Sequence, residues 1–279
     1  MSAEGFWPRF RKDRAAVLSL IVLVVLIAIA VLGPIAVHTD PTQQQLALRL
    51  GPPSLENPFG LDNLGRDILA RIVNGGRVTL LSGLAATSLV TAAGVFFGFL
   101  AGYYGGWLDQ LVMRVVDLML AFPFFITAIV VVAVLGASLE NAILAVTLAE
   151  TPMFARVVRG SVLQATHMLY VEGARAIGAT DRRIVVRHIL PNILMPVIVL
   201  ATADAAGIIL ALSGLSFLGL GVQPPTPEWG LMMSDAKGYL GSAPQMMFIP
   251  GIFLALLILS INLLGDGLRD AADPRMKRR

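Results

Sequence analysis

The chain has 279 residues, of which 56% are hydrophobic and only 14% charged, with a net charge of +3 and a mean hydropathy of +0.78. Soluble domains carry about 25% charged residues, so this composition indicates a membrane protein. The sequence has no cysteine, which excludes disulfides and thiolate-ligated metal centres, and its scattered basic residues do not form the basic face that nucleic-acid binding needs.

Six apolar runs are long enough to cross a membrane as helices, because a hydrocarbon core of about 30 Å needs about 20 helical residues. Lipid offers no hydrogen-bond partners to the backbone, so the N–H and C=O groups of each run must bond to one another, as they do in a helix. The first run follows a basic cluster, as in a signal peptide, but it exceeds the roughly 7–15 residues of a signal core and is predicted to be an uncleaved anchor. The runs are 15–37, 78–101, 115–135, 142–155 (extended to 139 and 158), 193–220 and 247–264.

Lysine and arginine residues predict the orientation of these helices. With the N-terminus in the cytoplasm, sixteen of the 21 basic residues fall on the cytoplasmic side, in agreement with the positive-inside rule. An even number of helices then places both termini in the cytoplasm. We expect an all-α membrane protein in three parts: an anchor helix with an external loop at 1–77, a core of five transmembrane helices at 78–268, and a cytoplasmic tail at 269–279.

Hydrophilic segments connect the predicted helices. The external segment 38–77 ends in 64–72, where apolar residues recur four apart and Asp67 is four residues from Arg71. This spacing predicts a short amphipathic helix at the outer interface. A cytoplasmic segment covers 156–190, and a second external segment covers 221–246.

The cytoplasmic segment carries the most specific pattern of the chain. Its sequence predicts a short helix with Val171, Ala174 and either Ile177 or Gly178 on one face, a break at Gly178, and then a basic amphipathic stretch. Pro191 is expected to open the next membrane helix, where its missing N–H costs nothing. Small residues on a short exposed helix suit insertion into the groove of a partner, and an ordinary positive-inside loop is the alternative.

This segment resembles the signature loop of permease subunits of binding-protein-dependent ABC importers, in which Glu-Ala-Ala is followed by Gly and then by Ile-x-Leu-Pro. Gly173 replaces the first alanine of that pattern, and His188 replaces the isoleucine. Segments 57–67, 113–117, 223–230 and 265–275 are similar to dipeptide and oligopeptide permeases of the C type. The signature residues that match at the required offsets are Glu172, Ala174, Gly178, Leu190 and Pro191.

The resemblance implies a type I ABC importer permease fold in the bacterial inner membrane. A second permease subunit would complete the pathway, two ATPase subunits would bind ATP and magnesium, and a substrate-binding protein would dock outside. No catalysis, cofactor or metal is expected in this chain, which lacks a Gly-rich phosphate loop. The loop expected to contact an ATPase consists of Glu172, Gly173, Ala174, Arg175, Ala176, Ile177, Gly178, Ala179, Leu190 and Pro191.

Other charged residues complete the candidate sites. Glu150 and Asp204 lie inside predicted spans, where ionisable side chains are costly and often functional. Either would line the pathway, bind the ammonium group of a peptide, or be paired at a subunit interface. The residues expected to contact the binding protein outside are Arg66, Asp67, Glu228 and Trp229.

Dipeptides or oligopeptides are the expected cargo, with nickel chelates or glutathione as alternatives, because the binding protein usually selects the cargo of such importers. A secondary transporter driven by an ion gradient would need inverted repeats and deep paired charges, and the sequence shows neither. An intramembrane protease would need a serine–histidine pair or paired membrane aspartates, which are also lacking. Six helices with long loops argue against a membrane scaffold without transport activity.

Overall fold

A computed structural model describes residues 6–272, and within that range the chain folds into helices without a β-strand. Five helices are long and apolar enough to cross a membrane, and the number is six if α4 and α5 count as one bent span. The helices are α1 (Phe6–Lys12), α2 (Arg14–Ala36), α3 (Ile68–Tyr104), α4 (Gly106–Leu120), α5 (Phe124–Leu135), α6 (Leu139–Thr166), α7 (Leu169–Ala176), α8 (Asp181–Ile184), α9 (Leu190–Phe217), α10 (Trp229–Asp235) and α11 (Gln245–Ala272).

The third predicted span differs from the structure. A continuous helix was expected over 115–135, but α4 and α5 meet at an angle of 90°. Pro123 stands at the N-cap of α5. Proline has no N–H for a helical hydrogen bond and disfavours helical geometry in the residue before it, so the chain turns there.

Helix α3 corrects a second prediction. The expected amphipathic helix at 64–72 does not exist as a separate element, because α3 begins at Ile68 and continues to Tyr104. Asp67 caps its first turn by accepting a hydrogen bond from the Leu69 amide at 3.0 Å. The predicted boundary between 77 and 78 therefore lies inside a helix. Polar residues that interrupt the apolar run in sequence, such as Arg71, are buried within the protein instead.

Glycines on α3 permit its close contact with α6. Gly94, Gly98 and Gly102 face α6, and a Cβ on Gly98 would lie 2.5 Å from the carbonyl oxygen of Ala155. No larger residue fits that spacing without moving a backbone. The recurrence of small residues four apart thus serves packing, as the sequence indicated.

The chain enters α9 without an intervening loop. Pro191 was expected to open a new helix, but α8, a π-helical turn at Val185–Ile189 and α9 form one continuous helical stretch. A proline inside a helix clashes with the carbonyl four residues earlier, which here belongs to Arg187. The wider π turn covers that residue and removes the need for a break.

Candidate functional site

Helix α7 projects from the end of the helical bundle where α3 finishes. The Tyr103 hydroxyl, one residue before the end of α3, donates a hydrogen bond to Asp181 at 2.7 Å, which locates the α7–α8 segment at this end. Val171 and Ala174 are buried in the main hydrophobic cluster of the chain. Ile177 was predicted to share their face, but it follows the last turn and is 84% exposed. The buried face holds α7 on its own chain, and the exposed face is open to a partner.

Gly178 ends α7, as the sequence predicted. Its φ of +79° is a conformation that side chains rarely adopt. The Gly178 amide donates to the Arg175 carbonyl at 2.9 Å, and the Ala179 amide donates to the Ala174 carbonyl at 3.0 Å. This pair of bonds is a Schellman motif, which satisfies the last carbonyls of a helix. The end of α7 is therefore fixed by its backbone.

The remaining residues of the predicted loop lie on the surface around α7. Glu172 is exposed in the first turn, where a carboxylate stabilises the helix dipole by about 0.3–1 kcal/mol. Gly173 is also exposed, and no atom lies within 4 Å of the position of a Cβ, so packing does not require a glycine there. Arg175, Ala176, Leu190 and Pro191 are likewise exposed.

Several arginines lie on α8 and the turn after it, next to α7 in the chain. A shallow cavity of about 370 Å³ beside α8 is lined by Thr180, Arg182, Arg183, Val186 and Arg187. Exposed apolar side chains, Leu169 at 83% and Ile177 at 84%, lie on α7 and at its end. This combination is suited to a partner with an apolar cleft and an acidic rim.

Glu150 and Asp204, which are 54 positions apart in sequence, line one cavity of about 370 Å³ between α5, α6, α9 and α11. Asn262 adds an amide, and most of the other lining residues are apolar. Both carboxylates are half-buried, and neither forms an ion pair within residues 6–272. Two carboxylates and an amide in apolar walls form a site suited to a cation.

The opposite end of the bundle contains a buried ion network that joins two connecting segments, 37–67 and 218–244, through α3. Arg66 Nε contacts Asp62 Oδ2 at 2.6 Å, and its Nη2 contacts Asp235 Oδ2 at 3.2 Å. Arg71 reaches the same two oxygens at 3.4 and 3.7 Å. Arg66, Arg71 and Asp62 are almost inaccessible to solvent. The two arginines thus share one carboxylate from nearby in the chain, Asp62, and one from a distant segment, Asp235.

Glu228 and Trp229 fix the second connecting segment to the membrane helices. Glu228 caps α10 by accepting from the Leu231 amide at 2.9 Å, and its Oε1 accepts from Ser213 at 3.0 Å and Thr79 at 3.2 Å. Trp229 donates its indole N–H to the Ile72 carbonyl at 3.0 Å. Burial raises the pKa of the Glu228 carboxyl, while the hydrogen bonds from Leu231 and Ser213 oppose the rise.

Burial changes the role of the four predicted docking residues. Arg66, Asp67, Glu228 and Trp229 are each at most 6% exposed, so their side chains do not form an outer surface. They brace the two connecting segments from within. Sequence reasoning missed Asp62 and Asp235, which complete the ion network. Asp62 belongs to the 57–67 motif that was recognised, but Asp235, the second carboxylate on the same two arginines, is 173 positions away and no local pattern identifies it.

Comparisons with known proteins identify the family of the chain. Residues 94–278 match the family described as binding-protein-dependent transport system inner membrane component, and residues 4–53 match the N-terminal TM domain of oligopeptide transport permease C. The chain is 42% identical to the dipeptide transport system permease protein DppC of Alkalihalophilus pseudofirmus, over 96% of this chain and 88% of that protein. It is also 42% identical to the glutathione transport system permease protein GsiD of Escherichia coli, over 98% and 90% respectively.

Solved structures extend the similarity to the fold. A chain of the MetNI methionine ABC transporter in an inward-facing conformation superposes with a TM-score of 0.59 and 22% identity, covering 73% of this chain and 97% of that chain. A second crystal form of the same transporter gives a TM-score of 0.53 at 23% identity, over 70% and 91%. At this level of identity the likeness concerns the fold.

Removal of Asp62 should test the buried ion network. Asp62→Asn leaves Arg66 and Arg71 with one carboxylate between them, and loss of a partner from a buried pair costs about 3–5 kcal/mol. We expect a lower midpoint of thermal unfolding and faster proteolysis of 37–67. Asp40→Asn is the matched control, because Asp40 is exposed and its carboxylate accepts hydrogen bonds from its near neighbour Thr42. Equal stability of the two variants would contradict the structural role of the network.

Proposed function

The chain belongs to the family of binding-protein-dependent transport system inner membrane components, and we propose that it forms half of the translocation pathway of an ATP-driven peptide importer. It is a multi-pass protein of the bacterial inner membrane with the expected type I importer permease fold. The observation that carries the proposal is α7, a short helix with one exposed face that is ended by Gly178 and followed by the arginines of the α8 segment.

The partners follow from what this chain presents and what it lacks. A second permease subunit would close the pathway. Two ATPase subunits would bind ATP and magnesium and hydrolyse the ATP, because the sequence of this chain has no Gly-rich phosphate loop. Leu169 and Ile177 would enter an apolar cleft of one ATPase subunit. A substrate-binding protein would dock on the exposed parts of 37–67, which carry Leu46, Leu48 and Leu55 on the surface.

Movement of the ATPase subunits would reach the membrane through α8 and α9. ATP binding can shift an inward–outward equilibrium only if the ATPase contacts α7 differently in the two states. Val171 and Ala174 pack in the same hydrophobic cluster as Ile184 and Ile189, so displacement of α7 acts on the start of the α8–α9 stretch. That stretch is continuously helical and carries Asp204, so no flexible linker absorbs the movement.

The cavity with Glu150 and Asp204 supports a cargo that bears an ammonium group. Two carboxylates without an ion-pair partner among the described residues favour a cation. Both dipeptides and glutathione carry a primary ammonium group, and the relatives DppC and GsiD are named for these two cargoes. Peptide is our first candidate and glutathione the second.

Both termini are proposed to lie in the cytoplasm, which site-directed labelling can test. We expect a cysteine at Thr180 to react with a membrane-impermeant maleimide only from the cytoplasmic face. A cysteine at Thr226, at the opposite end of the bundle, should react only from outside. The reason is the excess of lysine and arginine in the segments that include Thr180. Reaction of both cysteines from one side would refute this orientation.

The coupling role of α7 predicts a selective defect in Gly178→Val. A β-branched residue at a φ of +79° stores about 1–3 kcal/mol of strain, which would distort the end of α7. We expect normal insertion into the membrane but reduced peptide uptake and reduced substrate-stimulated ATP hydrolysis in reconstituted vesicles. Glu172→Ala should cause a milder loss.

Gly160→Val provides the control for Gly178→Val, because Gly160 is exposed on α6 with no atom near its Cβ position and no positive φ. It should transport normally. If Gly178→Val also transports normally in an intact complex, the segment is a plain positive-inside loop and the proposed coupling is wrong.

Removal of the negative charge of Glu150 or Asp204 should weaken the binding of the cargo in the cavity. Glu150→Gln and Asp204→Asn each remove a charged acceptor worth about 1.5–3 kcal/mol, so the half-saturating peptide concentration for uptake should rise roughly tenfold or more. Glu140→Gln, an exposed change in the first turn of the same helix as Glu150, should have no effect. A loss of subunit assembly with unchanged uptake by the remaining complexes would instead place these carboxylates at an interface.

A further inference from the structure

An apolar groove of about 850 Å³ between α2 and α3 is not part of either candidate site. Ile27 and Val31 of α2 form one wall, Leu81 and Leu84 of α3 form the other, and Ile209 of α9 lies at the bottom. The wall residues are substantially exposed, at 43–65%. The groove therefore opens to the surroundings of the protein, which at the level of these helices is the bilayer.

The groove faces away from the cavity that contains Glu150 and Asp204. Ala205 and Ile209 of α9 line the groove, whereas Ala203 and Gly207 line the cavity. Residues two positions apart on a helix point about 200° from one another, so the two spaces occupy opposite sides of α9. A subunit that closes the cavity would not cover the groove.

Arg77 gives the groove its one charged lining residue. Its side chain is exposed on α3, and no carboxylate of residues 6–272 lies within ion-pair distance of it. An unpaired charge on a membrane span is costly, and arginine reduces the cost by extending its head group to the interface. Such an arginine can bind an anion from outside the described chain at that interface.

The depth of Arg77 identifies where that anion lies. Gly33, near the end of α2, packs against Val73 of α3, with a Cβ on Gly33 only 2.8 Å from the Val73 Cβ. Gly33 is three residues before the end of α2, and Arg77 lies about one helical turn deeper than the Gly33–Val73 contact. Side chains on a helix lean toward its N-terminus, which for α3 is the near end of the span, so the Arg77 head group extends back toward the adjacent head-group layer, which the proposed orientation makes the outer one.

We propose that this groove binds a glycerophospholipid, with its phosphate on the Arg77 guanidinium and one acyl chain between α2 and α3. Guanidinium binds phosphate oxygens in a bidentate manner, and the apolar walls match an acyl chain. The lipid fills the space between the anchor helix α2 and the core, and so fastens one to the other.

Native mass spectrometry of the full chain, co-expressed with its transporter subunits and titrated with palmitoyl-oleoyl phosphatidylglycerol in detergent, tests this site. We expect wild type to retain one lipid more than Arg77→Gln. Arg49→Gln, a change at an exposed arginine that does not line the groove, should retain the lipid as wild type does. Val31→Trp should displace the acyl chain, while Val24→Trp, at an equally exposed valine of α2 outside the groove, should not.

Each other result overturns the proposal. If Arg77→Gln and Val31→Trp both retain the lipid as wild type does, the groove is not its site. If a photo-crosslinking residue at position 31 forms an adduct with a second subunit of the purified complex, protein fills the groove. The unfolding midpoint of each variant shows that it is folded, and Arg77→Lys, which keeps the charge, should recover part of the lost binding.

Discussion

Charges in a membrane protein must be neutralised, and the positions of the partners organise this structure. At one end of α3, Arg66 and Arg71 share the carboxylates of Asp62 and Asp235, which ties both connecting segments to the same helix. Near its other end, Asp109 of α4 pairs with Arg159 of α6, two helices that both pack on α3. These pairs hold the long helix at its ends, while glycine contacts with α6 hold its length. The ion pairs and the glycine contacts thereby fix the positions of α3 and α6, and α6 carries Glu150 of the cavity.

The proposed coupling of α7 to the cavity also needs a rigid connection between the two. If the segments between α7 and Asp204 were flexible, they would absorb a movement of α7 before it reached Asp204. Here the Schellman motif fixes the end of α7, the buried Val171 and Ala174 attach it to the cluster beneath, and the π turn lets α8 continue into α9 in spite of Pro191. The π turn is a rare helical geometry that often occurs at functional sites, and here it keeps the path from α8 into α9 helical.

Local patterns predicted the elements that depend on local physics. Apolar runs identified the spans, the match to an importer signature identified α7, and Gly178 identified its end, because each rests on neighbouring residues. Prediction failed where a distant residue decides. Arg71 reads as an interfacial residue in sequence, yet Asp235, 164 positions away, allows it to be buried and α3 to begin early. The sequence predicts an exposed Trp229, yet the side chain is buried, with its indole N–H bonded to the Ile72 carbonyl. The bend at Pro123 was missed because prolines also occur within continuous transmembrane helices.

Two sets of charges left unpaired within residues 6–272 lie beside cavities of this protein, and they contrast with the buried ion network. A protein that neutralises Asp62, Asp235 and Asp109 with its own arginines does not lack basic residues for Glu150 and Asp204, so their isolation in one cavity is a property of that site. Arg77 is the reverse case, a cation left without a carboxylate beside apolar walls. Opposite faces of α9 thus separate an acidic space from a basic one. A cationic cargo suits the first and a phosphate the second, so one helix can face the transport pathway on one side and the lipid on the other.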